Sequence, residues 1–231
     1  MENESKILFF LKSMKCKYVD DTLKHGRFCF NHPAAFNKWE SKKDAQYDPW
    51  DAHSVYEATH LIFAPIIDEK DGIPVYGEVH KLADKGIVRT QTAAAKKSSI
   101  CCFRMVEEHE VSFDENHIFY TLGETADRII NEFGHDSYIL IQAAPFLERI
   151  RQKYSCYCGA VVYRNTLNDY EFQVPEQQKE FVEQLFRKDV KYEWQKEYRI
   201  VLPPSDKNPV FIELGSIEDI AICGKISDLR A

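Results

Sequence analysis

The stretch "KYEWQKEYRI", from Lys191 to Ile200, decides both the expected fold and the expected function of this chain. It runs into the apolar residues "IVL", which is typical of a β-strand whose alternate side chains point to opposite faces of a sheet. With that spacing Gln195, Glu197 and Arg199 share one face. Tyr198 lies on the other face, which we expect to pack. Three successive polar groups on one face indicate either a solvated sheet edge or the wall of a site.

A glutamine and a glutamate on one strand face lie about 7 Å apart along the strand. This pair suits a reaction in which a sugar carbon becomes cationic. The carboxylate of Glu197 would hold a ribose hydroxyl and stabilise the oxocarbenium-like charge, and the amide of Gln195 would orient the incoming acceptor. The alternative is an edge strand on which Glu197 and Arg199 merely pair with neighbours. The spacing alone leaves both interpretations open.

Composition and charge restrict the class of protein. Of the 231 residues, 44% are hydrophobic and 13% aromatic, which is enough for a sizeable core. A formal net charge of -7 argues against a long duplex-DNA footprint. No apolar run reaches the length of a membrane span, and the acidic N-terminus is unlike a signal peptide. The seven cysteines sit mostly within apolar runs, which favours a reduced, cytoplasmic protein without a membrane partner.

Turn and cap signals predict a single α+β domain over residues 1–231. Strands are predicted at 6–12 and 27–30, separated by a short helix that ends at Gly26 in a left-handed conformation. A second helix is predicted to begin at a capping box formed by Thr121 and Glu124 and to end at Gly134. Residues 80–98 are expected to form an irregular connection and residues 31–51 a long loop. Short turns between the C-terminal strands favour a mostly antiparallel sheet.

Gln195-Lys196-Glu197 resembles the Gln/Glu-x-Glu signature that closes the NAD site of ADP-ribosyltransferases. The predicted order of strand, Gly-ended helix and strand agrees with that family. The chain is also similar to an uncharacterised bacterial and phage family whose motifs are "F-x-x-P-x-x-F-N", a Cys-Phe strand and "Y-x-x-Q/E-x-E-x-R". These correspond here to Phe30–Asn37, Cys101–Phe103 and a segment within Phe186–Arg199. The resemblance implies an ADP-ribosyltransferase-like fold with a mostly antiparallel split sheet flanked by helices.

The same resemblance implies a mono-ADP-ribosyltransferase that uses NAD as its substrate. Glu197 would stabilise the ribosyl cation, Gln195 would position the acceptor, and Arg199 would hold either a phosphate or Glu197 itself. The acceptor would be a macromolecule, either a protein or RNA/DNA. The expected context is a toxin or phage-defence effector, with an antitoxin protein as a possible partner.

The NAD contacts are less clearly marked, because the first strand carries Phe9 and Phe10 where the family has a His or an Arg. Lys12, Lys17 and Arg27 are alternatives for that polar contact. The Ser-Thr-Ser motif of the family is absent, and a serine just before the Cys-Phe strand is its nearest substitute. The expected NAD-binding residues are Lys12, Tyr18, Arg27, Asn37 and Ser99.

Two other classes of function remain open. One is a non-catalytic binding protein on the same scaffold in a phage or toxin-antitoxin setting. The other is a metal-dependent nuclease, because "WESK" (Trp39–Lys42) has the local Glu-x-Lys form used by some of these enzymes. The histidines and cysteines show no metal-ligand spacing, so no metal site is predicted, and "CYC" (Cys156–Cys158) is expected to have a structural role.

Overall fold

The computed structural model describes residues 6–37, 52–63, 65–70, 73–78, 80–114, 117–164 and 183–230. The α-helices are α1 (Val19–His25), α2 (Pro33–Asn37), α3 (Ala93–Lys97), α4 (Glu124–Phe133) and α5 (Ala143–Lys153). The strands are β1 (Ile7–Met14), β2 (Arg27–Phe30), β3 (Ser54–Phe63), β4 (Ile66–Lys70), β5 (Ile73–Tyr76), β6 (His80–Thr90), β7 (Ser99–Glu107), β8 (Ser112–Phe113), β9 (Ile118–Phe119), β10 (Ser137–Gln142), β11 (Tyr157–Ala160), β12 (Val162–Arg164), β13 (Arg187–Asp189), β14 (Glu197–Leu202), β15 (Val210–Glu213) and β16 (Ala221–Lys225). Short 3-10 helices cover Cys16–Tyr18, Glu108–Glu110, Val190–Gln195 and Ile226–Leu229.

A six-stranded sheet organises the molecule, in the order β11-β14-β7-β1-β10-β16. Each of its neighbouring pairs is antiparallel. Two-stranded ribbons surround it, among them β2 with β15 and the parallel pair β12 and β13. The predicted α+β class and the mostly antiparallel sheet flanked by helices are confirmed. Within the described residues, none of the helices has the length and apolar character needed to cross a membrane.

The two faces of the sheet carry separate apolar layers because strand side chains alternate. Phe10 of β1 packs in the larger layer with Phe146 of α5, their ring centroids 6.2 Å apart. Its neighbour Leu11 lies in the second layer with Ile129 of α4. The apolar stripes of α5 and α4 therefore cover opposite faces of the sheet, and Tyr198 packs in the Phe10 layer as its strand position predicts.

Helix α1 ends where the sequence predicts, at Gly26 with φ 58°. A Cβ atom at this position would lie 2.4 Å from the carbonyl oxygen of Gly215. The close approach lets Leu214 N donate to Gly26 O at 3.1 Å and Gly215 N donate to His25 O at 3.0 Å. Only glycine suits both the backbone conformation and the contact, so the turn after β15 is fixed against the end of α1.

The central sheet opens between β1 and β7. These strands pair only from Ile7 to Leu11, opposite Glu107 to Arg104. Beyond that point β1 continues along β10 as far as Met14, while the Ser99 end of β7 pairs with β14. The divergence leaves a gap in the middle of the sheet, and this gap positions the candidate site.

Two local predictions are wrong. Residues 80–98 contain β6 and α3 instead of an irregular connection, since β6 pairs with β3 over almost its full length. Helix α4 has Gly123 at its N-cap, with no side-chain cap, in place of the predicted Thr121 capping box. In the segment 31–51, α2 occupies 33–37, and residues 38–51 lie outside the described part of the chain.

Candidate functional site

A cavity of about 800 Å³ occupies the gap between β1 and β7. This volume lies within the range of small-molecule and cofactor sites, roughly 300–1,000 Å³. Its charged lining residues are Lys12, Asp21, Arg27, Arg104, Lys188 and Glu197. Aromatic lining residues include Tyr18, Phe28, Phe103, Phe133, Trp194 and Phe211. The lining therefore combines cations, one deeply placed carboxylate and apolar ring surfaces, which suits a ligand with both anionic and flat apolar parts.

Gln195 and Glu197 both line this cavity, but they do not lie on one strand as predicted. Gln195 ends the 3-10 helix that begins at Val190, and β14 begins only at Glu197. Asp189 caps that helix by accepting a hydrogen bond from Lys191 N at 3.0 Å. Lys196 then adopts a left-handed conformation, with φ 44°, which separates helix from strand.

Lys188 of β13 brings the two residues together. Its Nζ donates to Gln195 Oε1 at 2.7 Å and to Glu197 Oε1 at 2.7 Å. All three residues are buried. Because the carbonyl oxygen of Gln195 is held by the ammonium group, the orientation of the amide at the cavity wall is fixed.

Arg199 holds the second carboxylate oxygen of Glu197 from outside the cavity. Its Nε donates to Glu197 Oε2 at 2.9 Å, and its Nη1 donates to Leu185 O at 2.8 Å. The residue is fully buried and is not among those that line the cavity. Of the two roles expected for Arg199, this geometry favours holding Glu197, and it leaves the guanidinium out of reach of a phosphate in the cavity.

Glu197 is a permanent negative charge in the cavity wall. Burial would raise the pKa of its carboxyl, but the charges and hydrogen bonds of Lys188 and Arg199 outweigh burial and lower the pKa to about 2. Its backbone N–H donates to Tyr163 Oη at 2.8 Å, which fixes the start of β14. Each carboxylate oxygen has two acceptor positions, so a ligand hydroxyl can bond to Glu197 while the cations remain in place.

Lys12 follows Phe10 by two residues and therefore carries a charge onto an otherwise apolar face. Its Nζ donates to the carbonyl of Cys102 at 2.7 Å and lies 5.4 Å from the centroid of the Phe103 ring. The Lys12 side chain therefore bonds to β7 just beyond Leu11, where the backbone pairing of β1 with β7 ends. Of the expected NAD contacts that line the cavity, Lys12 is the least exposed to solvent.

Arg27 and Tyr18 also line the cavity, nearer to its mouth. Arg27 forms ion pairs of 3.8 Å with Asp21 and Glu213, and its guanidinium lies 5.1 Å from the centroid of the Phe211 ring. Tyr18 is 52% exposed. Both residues are positioned to contact a ligand that extends out of the gap.

Of the other two expected NAD contacts, the structure places Ser99 away from the site and does not describe the side chain of Asn37. Ser99 is fully buried at the start of β7 and does not line the cavity, and its Oγ has no hydrogen-bond partner among the described residues. Asn37 is the last residue of α2, and its side chain lies outside the described part of the structure.

Three residues at the candidate site were not predicted from the sequence: Lys188, Tyr163 and His135. His135 lines the cavity, and its Nδ1 lies 2.9 Å from Ser13 Oγ. Burial, followed by the charges of Lys12 and Lys15, lowers the pKa of His135 to about 4, so its ring is neutral at pH 7. Of these three residues, only Lys188 lies within a motif segment, Phe186–Arg199. That motif does not indicate what Lys188 contacts.

Comparison of the chain with protein-family models, curated proteins and solved structures finds no significant match. In the described part of the chain, no three His, Cys, Asp or Glu residues cluster in a way that would hold a metal ion. Trp39–Lys42, which carries the Glu-x-Lys pattern, lies outside those residues.

Proposed function

We propose that this chain is an NAD-dependent mono-ADP-ribosyltransferase that transfers ADP-ribose to a macromolecule, either a protein or a nucleic acid. The observation that carries the proposal is an ionised Glu197, held by Lys188 and Arg199 beside Gln195, in the wall of an 800 Å³ cavity. The resemblance of the Gln-x-Glu motif supports a role as a toxin or phage-defence effector in the cytoplasm, with an antitoxin as protein partner.

In the proposed reaction the bond between the ribose carbon and the nicotinamide nitrogen breaks, and its electron pair leaves with nicotinamide. The fixed charge of Glu197 stabilises the positive charge that develops on the ribose. The acceptor nucleophile then bonds to the same carbon and loses a proton. Gln195, anchored through Lys188, orients this acceptor at the cavity wall.

The remaining cavity residues suit the other parts of NAD. Lys12 and Arg27 supply cationic donors for the two phosphates, and such charge-assisted contacts are stronger than neutral hydrogen bonds. Tyr18, which lines the cavity and is 52% exposed, offers a ring surface for a base. Trp194 is held against Phe133, with ring centroids 5.9 Å apart, and serves as a rigid wall.

A second candidate is a non-catalytic binding protein that uses the same cavity. The observation that favours it is that both oxygens of Glu197 already bond to cations and that the residue is only 8% exposed. Under this alternative the ion triad is structural, and NAD or a related nucleotide binds without losing nicotinamide.

The test is incubation of the purified protein with NAD labelled in its adenine part, in the presence of a bacterial extract. The proposal predicts nicotinamide release and label on a macromolecule, which protease or nuclease digestion then identifies. A rise in melting temperature with NAD but no nicotinamide release would support the binding protein. If NAD neither loses nicotinamide nor raises the melting temperature, and the protein cleaves nucleic acid with Mg²⁺ alone, both candidate functions are wrong. The protein would then be a metal-dependent nuclease.

A further inference from the structure

Cys156 and Cys158 form a pair of thiols away from the cavity, on the opposite border of the sheet from β16. Their sulfur atoms lie 3.5 Å apart, within hydrogen-bonding distance for thiols. Both residues are half-buried, and all seven cysteines of the chain are free thiols in the structure. The pair therefore combines close sulfur atoms with access from solvent.

The local backbone explains why these sulfur atoms meet. Cys156 directly precedes β11, which begins at Tyr157. Residues two apart in an extended chain point to the same face, with Cα atoms about 6.6–6.8 Å apart. Disulfides accept Cα separations of roughly 4.4–6.8 Å, so ring closure needs only a slight contraction of the strand. Cys158 lies in β11, opposite Ile200 of β14, and β11 ends the sheet. Within the described residues its other side is unpaired, so few sheet hydrogen bonds oppose the contraction.

We propose that Cys156 and Cys158 are a reversible dithiol–disulfide site whose reaction partner is a low-molecular-weight disulfide of the glutathione type. This site is independent of the proposed transferase activity. It lies beside β14, the strand that carries Glu197 and Arg199.

The exchange has two steps. The Cys156 sulfur, as thiolate, attacks one sulfur of the small disulfide, whose S–S bond breaks and releases one small thiol. The Cys158 sulfur then attacks Cys156 in the mixed disulfide, loses its proton and releases the second small thiol. The protein pair is oxidised by two electrons and loses two hydrogen atoms, while the small disulfide is reduced to two thiols.

The order of these steps follows from the surroundings of Cys158. Burial, and then the hydrogen bond and charge of Cys156, raise the pKa of the Cys158 thiol to about 12, against a smaller opposite effect of Arg151. Cys158 is consequently a thiol at neutral pH and reacts second, when the sulfur of Cys156 is already fixed beside it.

The chain contains an internal control for this pair. Cys101 and Cys102 are adjacent in β7, so their side chains point to opposite faces of the sheet. Cys101 packs in the Phe10 layer, and Cys102 packs against a separate cluster. Two neighbouring thiols with this placement are not expected to form a disulfide in the folded protein.

The test is equilibration of the reduced full-length protein with glutathione buffers of increasing oxidised-to-reduced ratio, followed by acid quenching, alkylation, trypsin digestion and mass spectrometry. Cleavage after Lys153 and Arg164 places both cysteines in one peptide, 154–164, and Cys101 and Cys102 in another. We expect peptide 154–164 to lose both alkylation sites and the mass of two hydrogen atoms as the ratio rises, and to regain them on reduction. The Cys101–Cys102 peptide should stay fully alkylated.

Cys156→Ser and Cys158→Ser should each abolish the internal disulfide and leave at most a glutathione adduct on the remaining thiol. Cys223→Ser, at an exposed cysteine, should leave it unchanged. The proposal is overturned if wild-type peptide 154–164 carries only alkyl groups or glutathione adducts at every ratio. It is also overturned if the Cys101–Cys102 peptide closes at the same ratio, because the 3.5 Å contact would then confer no selectivity.

Discussion

Lys188 donates a hydrogen bond of 2.7 Å to Glu197 Oε1, although the two residues belong to different sheets. This contact ties the short β12–β13 pair to the central sheet and fixes the charge of the candidate catalytic carboxylate. If Lys188 is removed, Arg199 Nε still donates to Glu197 Oε2 at 2.9 Å, so the carboxylate keeps one buried cation and loses one charge-assisted hydrogen bond. Such a bond typically contributes about 1.5–3 kcal/mol.

Lys188→Met should therefore lower the free energy of unfolding by about 1.5–3 kcal/mol and raise the pKa of Glu197 above its value of about 2. Lys188→Arg, which keeps the charge, should preserve most of the effect on the pKa. Urea unfolding and carbon-13 NMR titration of the Glu197 carboxyl group measure the two quantities. An unchanged pKa in Lys188→Met would contradict the role given to Lys188.

The pH dependence of stability should carry the signature of Glu197. Its pKa falls from 4.5 to about 2 on folding, so the ionised form is favoured in the folded state. The resulting stabilisation, about 3 kcal/mol, is complete above pH ~4.5 and is lost as the pH falls towards 2. The difference in unfolding free energy between wild type and Glu197→Gln should shrink over this range. Glu148→Gln, at an exposed site on α5, should show a small and constant difference.

Gly26 and Gly134 have similar backbone angles, so substituting each by alanine distinguishes the cost of conformational strain from the cost of close packing. A Cβ added at Gly134, where φ is 62°, would meet no described atom within 4 Å, whereas a Cβ at Gly26 would lie 2.4 Å from Gly215 O. Gly134→Ala should cost about 1–2 kcal/mol through strain alone. Gly26→Ala should cost about 2–5 kcal/mol, because overpacking is added to the strain. If urea unfolding gives the same loss of unfolding free energy for both variants, the backbone at Gly215 moves away from the added methyl group at no energetic cost.

Lys12 should govern NAD affinity if the proposed function holds. Lys12→Met removes a partly buried ammonium group from the cavity, and a lost hydrogen bond to a charged group costs about 1.5–3 kcal/mol. The KM for NAD should then rise roughly 10-fold to 100-fold. Lys15→Met removes an exposed charge near the end of the same strand and should change KM little. A KM equal to that of wild type would remove Lys12 from the NAD site.

Much of the fold could be predicted where the signal is local. Gly26 and Gly134 both end helices in left-handed conformations, as a glycine after an apolar helical pattern indicates. The strand β6 was missed because its lysines, aspartate and glycine show no alternation of polar and apolar residues. Its strand conformation depends on pairing with β3, which no local pattern reveals.

The candidate site was only partly predictable for a similar reason. Glu197 and Gln195 were identified by their spacing, but the left-handed Lys196 between them was not, because lysine rarely adopts positive φ. Lys188 acquires its role only through the approach of β13 to β14 in three dimensions. The opening between β1 and β7 depends likewise on where strand pairing stops, and this register is set by the whole sheet.

In the proposed reaction the charge of Glu197, and not its volume, stabilises the ribosyl cation. The decisive measurement is the rate of nicotinamide release and label transfer from NAD by wild type, Glu197→Gln and the control Glu148→Gln, each with its melting temperature. We expect a loss of roughly 100-fold or more in a folded Glu197→Gln protein, as for removal of one electrostatic stabiliser, and a wild-type rate for Glu148→Gln. Equal rates for wild type and folded Glu197→Gln would show that the charge of Glu197 has no part in the reaction.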